Sequence, residues 1–262
     1  MSADTENETT IARIPVLAFH AIGDGRGPIW TGANDFAKLV DALVASHYQF
    51  VTAATVVDWV RGKPLAVKRP LAITFDDGYE SVRTAALPIL ASRGIPATVF
   101  AVTGAPGINN WDRPGSFGGG LALLERSGIE QLAAAGWEIG SHTHTHRRLK
   151  GCSASEVSSE LSRSRTVLAE LGTAVTTMAY PYGDHDAVAQ TAVRQESLGG
   201  FTIGAKFARV TDDVAAICRI DSWYLRSPTI QKNLGNPVGR TYLASRQAAR
   251  ELAQRIRRNR AN

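Results

Sequence analysis

The sequence predicts an α/β fold, a barrel or a related wound sheet, and three observations carry that prediction. Apolar runs of strand length alternate with segments of helical periodicity. At 262 residues the chain fits one large domain better than two small ones. The polar residues that carry chemistry follow the strand candidates directly, where parallel α/β folds build their active-site face.

In chain order, Ile14-Pro15-Val16-Leu17-Ala18-Phe19-His20 reads as a buried strand ending at a histidine, before a Gly23-Asp24-Gly25 turn. Asp35 to His47 has Phe36, Leu39, Val40, Leu43 and Val44 at helical spacing, with Asn34 or Asp35 as cap. Gln49 to Thr52 is a short strand candidate and Thr55 to Val60 starts a helix. Leu71 to Phe75 is a strand whose end delivers Asp76 and Asp77; Tyr79 to Arg93 is the helix after it, and Ala97 to Val102 the next strand. Strand, helix and strand of these lengths make a parallel βαβ unit. Thr103 to Gly120 is too long for an ordinary connector and reads as a functional loop, with Trp111 and Asp112 at its middle.

Ile129 to Ala135 is a helix closed by Gly136, and Trp137 to Ser141 a strand that delivers histidines. Ser155 to Leu171 is a helix capped by Ser153 or Ser155 and ended by Gly172. Thr177 to Tyr180 is a strand leading into Pro181-Tyr182-Gly183. His185 to Leu198 is a helix, Phe201 to Ile203 a strand, Ile217 to Ile220 the last strand, and Ser245 to Arg258 an Arg-rich terminal helix. Four strand ends, at His20, Asp76-Asp77, His142 to His146 and Tyr180 to Tyr182, therefore converge on one pocket.

The net charge of +5 belongs to the tail. Residues 240–262 hold seven Arg against one Glu, a net of +6, so the other 239 residues sum to −1. The body thus offers no bulk electrostatic case for nucleic acid. The tail is either a solvated face or a contact for a membrane surface or an acidic partner. Cys152 and Cys218 form neither a CxxC nor a disulfide framework. Residues 1–12 read as a flexible, acidic N-terminus without the basic start and apolar stretch of a leader, followed by one domain over 13–239 and a basic helix over 240–262. No run of eighteen apolar residues occurs. A cytoplasmic protein is the expectation, with non-classical export left open.

The chemistry lies in Thr74-Phe75-Asp76-Asp77-Gly78 and Ser141-His142-Thr143-His144-Thr145-His146. Neighbouring residues on a strand face opposite ways, so one aspartate is free to bind metal while the other stands beside water. An isolated Asp-Asp-Gly is most often a turn that caps the next helix. His142 and His146 have the i, i+4 spacing of one face of a helical turn, and three of only six histidines lie within five residues. His144, at i+2, is expected to face away. One aspartate and two histidines form a ligand set that leaves a position open for water.

At these residues the chain resembles the NodB-type polysaccharide deacetylases, carbohydrate esterase family 4. TFDDG matches the family's first motif, HTHTH its second, and Tyr180-Pro181-Tyr182-Gly183 resembles its third. The resemblance covers roughly residues 12–225. It implies a distorted (β/α) barrel of the NodB-homology type, a divalent metal (zinc foremost, cobalt, nickel or manganese as others), and hydrolysis of N-acetyl groups on an N-acetylated carbohydrate. Carried over residue by residue, Asp76 matches the general base, Asp77, His142 and His146 match the metal ligands, and the Tyr182 backbone N–H matches an oxyanion donor. Two features depart from the pattern: Met178-Ala179-Tyr180 lacks the arginine that tethers the base, and no histidine follows His185 to serve as acid. A branch resembling the poly-N-acetylglucosamine deacetylases has a permuted order with the acid near the N-terminus, which makes His20 the candidate acid. A capping histidine at a strand end is the rival reading of His20. Arg219-Ile220-Asp221 resembles the fourth motif, so Arg219 or Asp221 is expected to orient the base. Trp111, Trp223 and Tyr182 are candidates for stacking on sugars, although core burial is the commoner fate of a tryptophan. The rival functions are amide or imide hydrolysis of a non-sugar, as in allantoinase-like relatives, and a catalytically silent carbohydrate-binding relative.

Overall fold

The computed structural model describes residues 11–105 and 107–261, and the reading of residues 1–12 as flexible lies outside them except at Ile11 and Ala12. Seven parallel strands close into a barrel. In the order met along the chain the strands are β1 (Val16–Phe19), β2 (Gln49–Val51), β3 (Pro70–Phe75), β4 (Thr98–Ala101), β5 (Glu138–Ser141), β6 (Thr177–Ala179), β7 (Gly199–Gly204) and β8 (Ile217–Asp221). The ring runs β1-β8-β7-β6-β5-β4-β3 and returns to β1. β2 stands outside the ring. It pairs with the first half of β3, Gln49 with Pro70 through Val51 with Ala72, while β4 takes the second half, Thr74 with Thr98 and Phe75 with Val99.

The helices are α1 (Ala33–Ala45), α2 (Ala53–Val60), α3 (Leu87–Ala91), α4 (Arg126–Ala134), α5 (Ala154–Ala169), α6 (Ala187–Gln195), α7 (Pro228–Lys232) and α8 (Pro237–Ala261). Strand alternation divides the core in two. On β3, Leu71, Ile73 and Phe75 face outward with Phe36 of α1, Leu132 of α4 and Trp137. Phe75 stacks on Trp137 with ring centroids 5.4 Å apart. Each such side chain contributes about 1.5–3 kcal/mol through burial. Facing inward, Val16, Ala72, Phe100, Ala179, Phe201 and Ile217 meet Ala53, Val56 and Val57 of α2, which therefore plugs the N-terminal end of the barrel. Glu138 fastens that plug: its carboxylate accepts from Ala54 N–H at 2.8 Å and Thr98 Oγ1 at 2.9 Å, and Thr177 Oγ1 also donates to it.

The structure departs from the sequence reading at four elements. The expected strand from Ile14 breaks at Pro15, and Arg13–Ile14 pairs antiparallel with Ala208–Arg209. Tyr79 to Arg93 is no single helix, since Val82–Ala86 is a π-turn that passes into α3. Pro88 has no N–H for the carbonyl four residues back, and it sits where the register changes. A short parallel pair, Ala21–Ile22 with Trp30–Thr31, closes the stretch after β1. The terminal helix starts at Pro237 rather than Ser245, so the domain boundary expected at 239 falls inside α8. Its signal is Asn236-Pro237: Pro suits the first helical turn, and Asn236 Oδ1 accepts from Val238 N–H at 3.0 Å. Leu243 buries the first half of α8 on the core with Ile230 and Leu234. Among the described residues no helix is long and apolar enough to cross a membrane.

Candidate active site at the C-terminal mouth of the barrel

Strand period explains Asp76. Positions 72, 74 and 76 on β3 and 217, 219 and 221 on β8 face the same interior, so the carboxylate of Asp76 meets the guanidinium of Arg219. Arg219 Nη1 and Nη2 donate to Asp76 Oδ1 and Oδ2 at 2.6 and 2.7 Å. The arginine is 0% exposed and is also held by Thr74 Oγ1 at 3.0 Å, by Thr202 O at 3.2 Å and by the Phe100 ring. Burial pushes the Asp76 carboxyl up, but Arg219, with help from His142, holds it below the ordinary value. Asp221 makes no such contact; its Oδ1 accepts from Trp223 N–H at 2.9 Å and caps a short turn.

The same period would send Asp77 outward. Instead Asp77 takes a left-handed conformation, φ 69°, and its side chain turns back over the mouth. There its Oδ1 lies 3.3 Å from His142 Nε2 and 3.2 Å from His146 Nε2. Burial raises the Asp77 carboxyl, yet the two imidazoles bring it well below its ordinary value. His142 is raised, because Asp76 and Asp77 outweigh its burial, whereas burial dominates His146 and lowers it.

The two histidines do not share a helical turn, contrary to the i, i+4 expectation. After β5 the chain enters a loop in which Thr143 (φ 67°) and His146 (φ 57°) are left-handed, and that path brings both Nε2 atoms to Asp77. The loop hangs on Glu160 of α5, whose carboxylate accepts from His144 N–H at 2.9 Å, Thr145 N–H at 2.8 Å and Thr145 Oγ1 at 2.7 Å. His144 points elsewhere, its Nδ1 3.0 Å from Thr103 Oγ1. Glu160 escaped the sequence reading, although a carboxylate between Val157 and Leu161 on a buried helix face is itself a signal.

A cation fits this arrangement. His142 Nδ1 lies 2.9 Å from the Ala179 carbonyl, which only accepts, so Nδ1 carries the hydrogen. In neutral His142 the Nε2 lone pair then faces the ionised Asp77, a repulsive contact unless a cation or a proton lies between them. Among the described residues Asp77, His142 and His146 form one group whose ligand atoms lie within 4.8 Å of one another.

These residues line a cavity of about 330 Å3 together with His20, Asp76, Trp111, Asp112, Tyr182 and Asp221. Asp76 N–H donates to Phe19 O at 2.9 Å, which sets His20, the next residue, beside the aspartates. Trp111 stacks on His146 at 4.6 Å, and Tyr182 meets the same ring edge-on at 4.8 Å. Asp112 Oδ2 accepts from Asn109 Nδ2 at 2.9 Å, which shapes the long loop. Tyr182 is left-handed, φ 62°, 46% exposed, and has Arg148 over its ring. Gly183 follows it so closely against β7 that a Cβ there would lie 2.2 Å from Ile203 Cγ2. Trp223 is not among the cavity walls; it is 46% exposed with Arg226 over its ring. Gly183 also lines the cavity, and Tyr79, Ile29, Ile203 and Arg250, which were not anticipated, complete the walls.

A family model described as polysaccharide deacetylase matches residues 65–199. The poly-beta-1,6-N-acetyl-D-glucosamine N-deacetylase of Staphylococcus aureus (strain MSSA476) is 30% identical over 160 residues, 57% of this chain and 52% of its own. The chain thus spans about half the length of that relative. Among solved structures, IcaB from Ammonifex degensii superposes with a TM-score of 0.71 at 25% identity, covering 81% of this chain and 94% of that one. Streptococcus pyogenes deacetylase PplD in complex with acetate shares the fold, with a TM-score of 0.70 at 23% identity over 80% of this chain and 92% of that one.

Proposed function

The chain belongs to the polysaccharide deacetylase family, and on that premise we propose that it hydrolyses the N-acetyl group of an N-acetylated sugar, polymeric or activated, to acetate and a free amine. One observation carries the reading. A buried carboxylate held ionised by two bonds from Arg219 faces the same 330 Å3 cavity as the Asp77, His142 and His146 group.

Asp77, His142 and His146 would hold the metal, zinc by the chemistry of one carboxylate and two imidazoles. When bound, such an ion supplies Lewis acidity, polarising a carbonyl and lowering the pKa of a water towards about 7. Asp76 is the general base: it takes the proton of the attacking water, and Arg219 keeps it ionised and aimed into the cavity. The Tyr182 N–H is the proposed donor to the oxyanion that develops on the amide oxygen. His20, just past the end of β1 and beside Asp76, donates a proton to the departing nitrogen, which cannot leave as an amide anion. Trp111 and Tyr182 offer faces for a sugar ring beside the acetamido group, and Asp112 a hydroxyl acceptor.

The test is acetate release by the zinc-loaded protein from N-acetylglucosamine oligomers, scored with bound metal. About one equivalent of divalent metal with acetate release supports the reading. A metal-replete protein that releases no acetate from any N-acetylated sugar, polymeric or activated, overturns it.

A further inference from the structure

A groove of about 940 Å3 lies between the barrel rim and α8. It shares Gly183, Ile203 and Arg250 with the catalytic cavity, so the two spaces adjoin. The catalytic cavity sits at the small end of small-molecule sites, which run from about 300 to 1,000 Å3. A substrate longer than one ring must extend past it, and the Gly183–Ile203 edge opens onto the groove.

The groove is basic in a specific way. Lys150, Lys206, Arg209 and Arg250 face Asp184, Asp212 and Glu251. Asp184 is paired with Arg148 and Glu251 with Lys206 at 2.7 Å, while Asp212, whose Oδ2 accepts from the Arg209 backbone N–H at 2.9 Å, is the one carboxylate of this lining without an ion-pair partner among the described residues. Lys150, Arg209 and Arg250 are left without an ion-pair partner among the described residues, and Arg250 stands at the junction of the two spaces. α8 is fixed there by Gln247, which accepts from Ala205 N–H at 2.9 Å.

We propose that this groove binds a phosphate ester carried by the N-acetylated sugar, so that the substrate is a sugar phosphate or diphosphate rather than a neutral glycan. This rests on the deacetylase reading above. Two arginine forks and a lysine suit phosphate oxygens, to which guanidinium donates in pairs. The position adjoining the reaction cavity places the ester next to the ring being deacetylated. The terminal helix, whose basic face reads in the sequence as solvated or as a contact for a membrane surface or an acidic partner, thereby becomes one wall of the substrate channel.

The zinc-loaded full chain would be assayed for acetate release from methyl N-acetylglucosaminide, N-acetylglucosamine 1-phosphate, UDP-N-acetylglucosamine and a short prenyl diphosphate of N-acetylglucosamine. The expected result is a kcat/KM at least about tenfold higher for the phosphorylated sugars than for the neutral glycoside at low salt. That ratio should collapse severalfold in the double variant Lys150→Gln, Arg209→Gln, whose changes are at exposed positions. The nucleoside and prenyl arms tell which source of phosphate is preferred. A ratio near one, or a ratio that survives the double substitution, overturns the groove assignment while acetate release leaves the deacetylase reading standing. If neither class of substrate is hydrolysed, calorimetric titration with glucosamine 1-phosphate still decides the groove: affinity lowered about tenfold by the double substitution supports it, and equal affinity overturns it.

Discussion

Asp76 and Arg219 show what one buried pair asks of the molecule. Removing one partner of a fully buried, doubly bonded ion pair strands the other, which costs about 3–5 kcal/mol. Arg219→Met is therefore expected to lower the urea-unfolding free energy by roughly that amount, and a loss under 1 kcal/mol would contradict the burial described above. Asp76→Asn keeps an oxygen for Arg219 but cannot take a proton, so kcat should fall about 10²-fold or more with KM little changed; an unaltered kcat would remove Asp76 from the role of base. His20→Ala should slow amide hydrolysis more than aryl-ester hydrolysis, because a phenolate leaves without a proton. Equal losses would remove His20 from the acid role. A metal-and-water site was legible in the adjacent Asp76-Asp77 and the clustered histidines, the separate roles of the two aspartates came from the family resemblance, and the likeness of Arg219-Ile220-Asp221 to the fourth motif directed attention to Arg219 or Asp221. Which of Arg219 and Asp221 reaches the base was not legible: 143 residues separate Arg219 from Asp76, and only the closure of β8 through β1 onto β3 brings them together.

Among the elements, α5 and α6 do more than cover the barrel. Glu160 ties the histidine loop to α5 through three bonds, so Glu160→Gln is expected to weaken zinc binding about 10–100-fold in a competition titration, with the fold retained. An affinity within twofold of the parent would mean that the loop holds its own shape. α6 carries a pH-dependent cap. Asp186 Oδ1 accepts from Ala189 N–H at 3.0 Å and Oδ2 from Gly151 N–H at 2.8 Å, and these bonds hold its carboxyl below the ordinary value. A carboxylate depressed in the folded state contributes stability above its unfolded pKa and loses it as pH falls through the folded value. Asp186→Asn should thus unfold at lower urea than the parent at pH 7, by about 1 kcal/mol or less, with the gap closing below about pH 4. A gap that stays constant with pH would rule out the charge. The strand and helix order was legible from periodicity, since each unit repeats one pattern. The π-turn before α3, the break at Pro15 and the early start of α8 were not, because each is decided by what the backbone meets in the folded molecule or by a cap upstream of the apolar pattern.

For the whole molecule, the seven-strand ring gathers the proposed ligands from the ends of β3 and β5, so a metal held there would couple to the global fold. Zinc at a hundred times its dissociation constant should add about 2.7 kcal/mol of stability. A chelator should lower the melting temperature accordingly, and the increment should shrink as acid protonates His142 and His146. Asp77→Ala should abolish the shift; a zinc-dependent rise that persists in that variant would place the ion elsewhere. The left-handed residues at the mouth bear on this in another way. Asp77, Thr143, His146 and Tyr182 each hold a conformation that costs an ordinary side chain about 1–3 kcal/mol, and Thr143 does so with a branched side chain and a buried hydroxyl that finds no partner among the described residues. Under heat or drift unchecked by activity, these are the positions where glycine or asparagine would accumulate. Relatives that keep the barrel and lose the reaction should therefore carry their first scars at these four turns, leaving the strands intact.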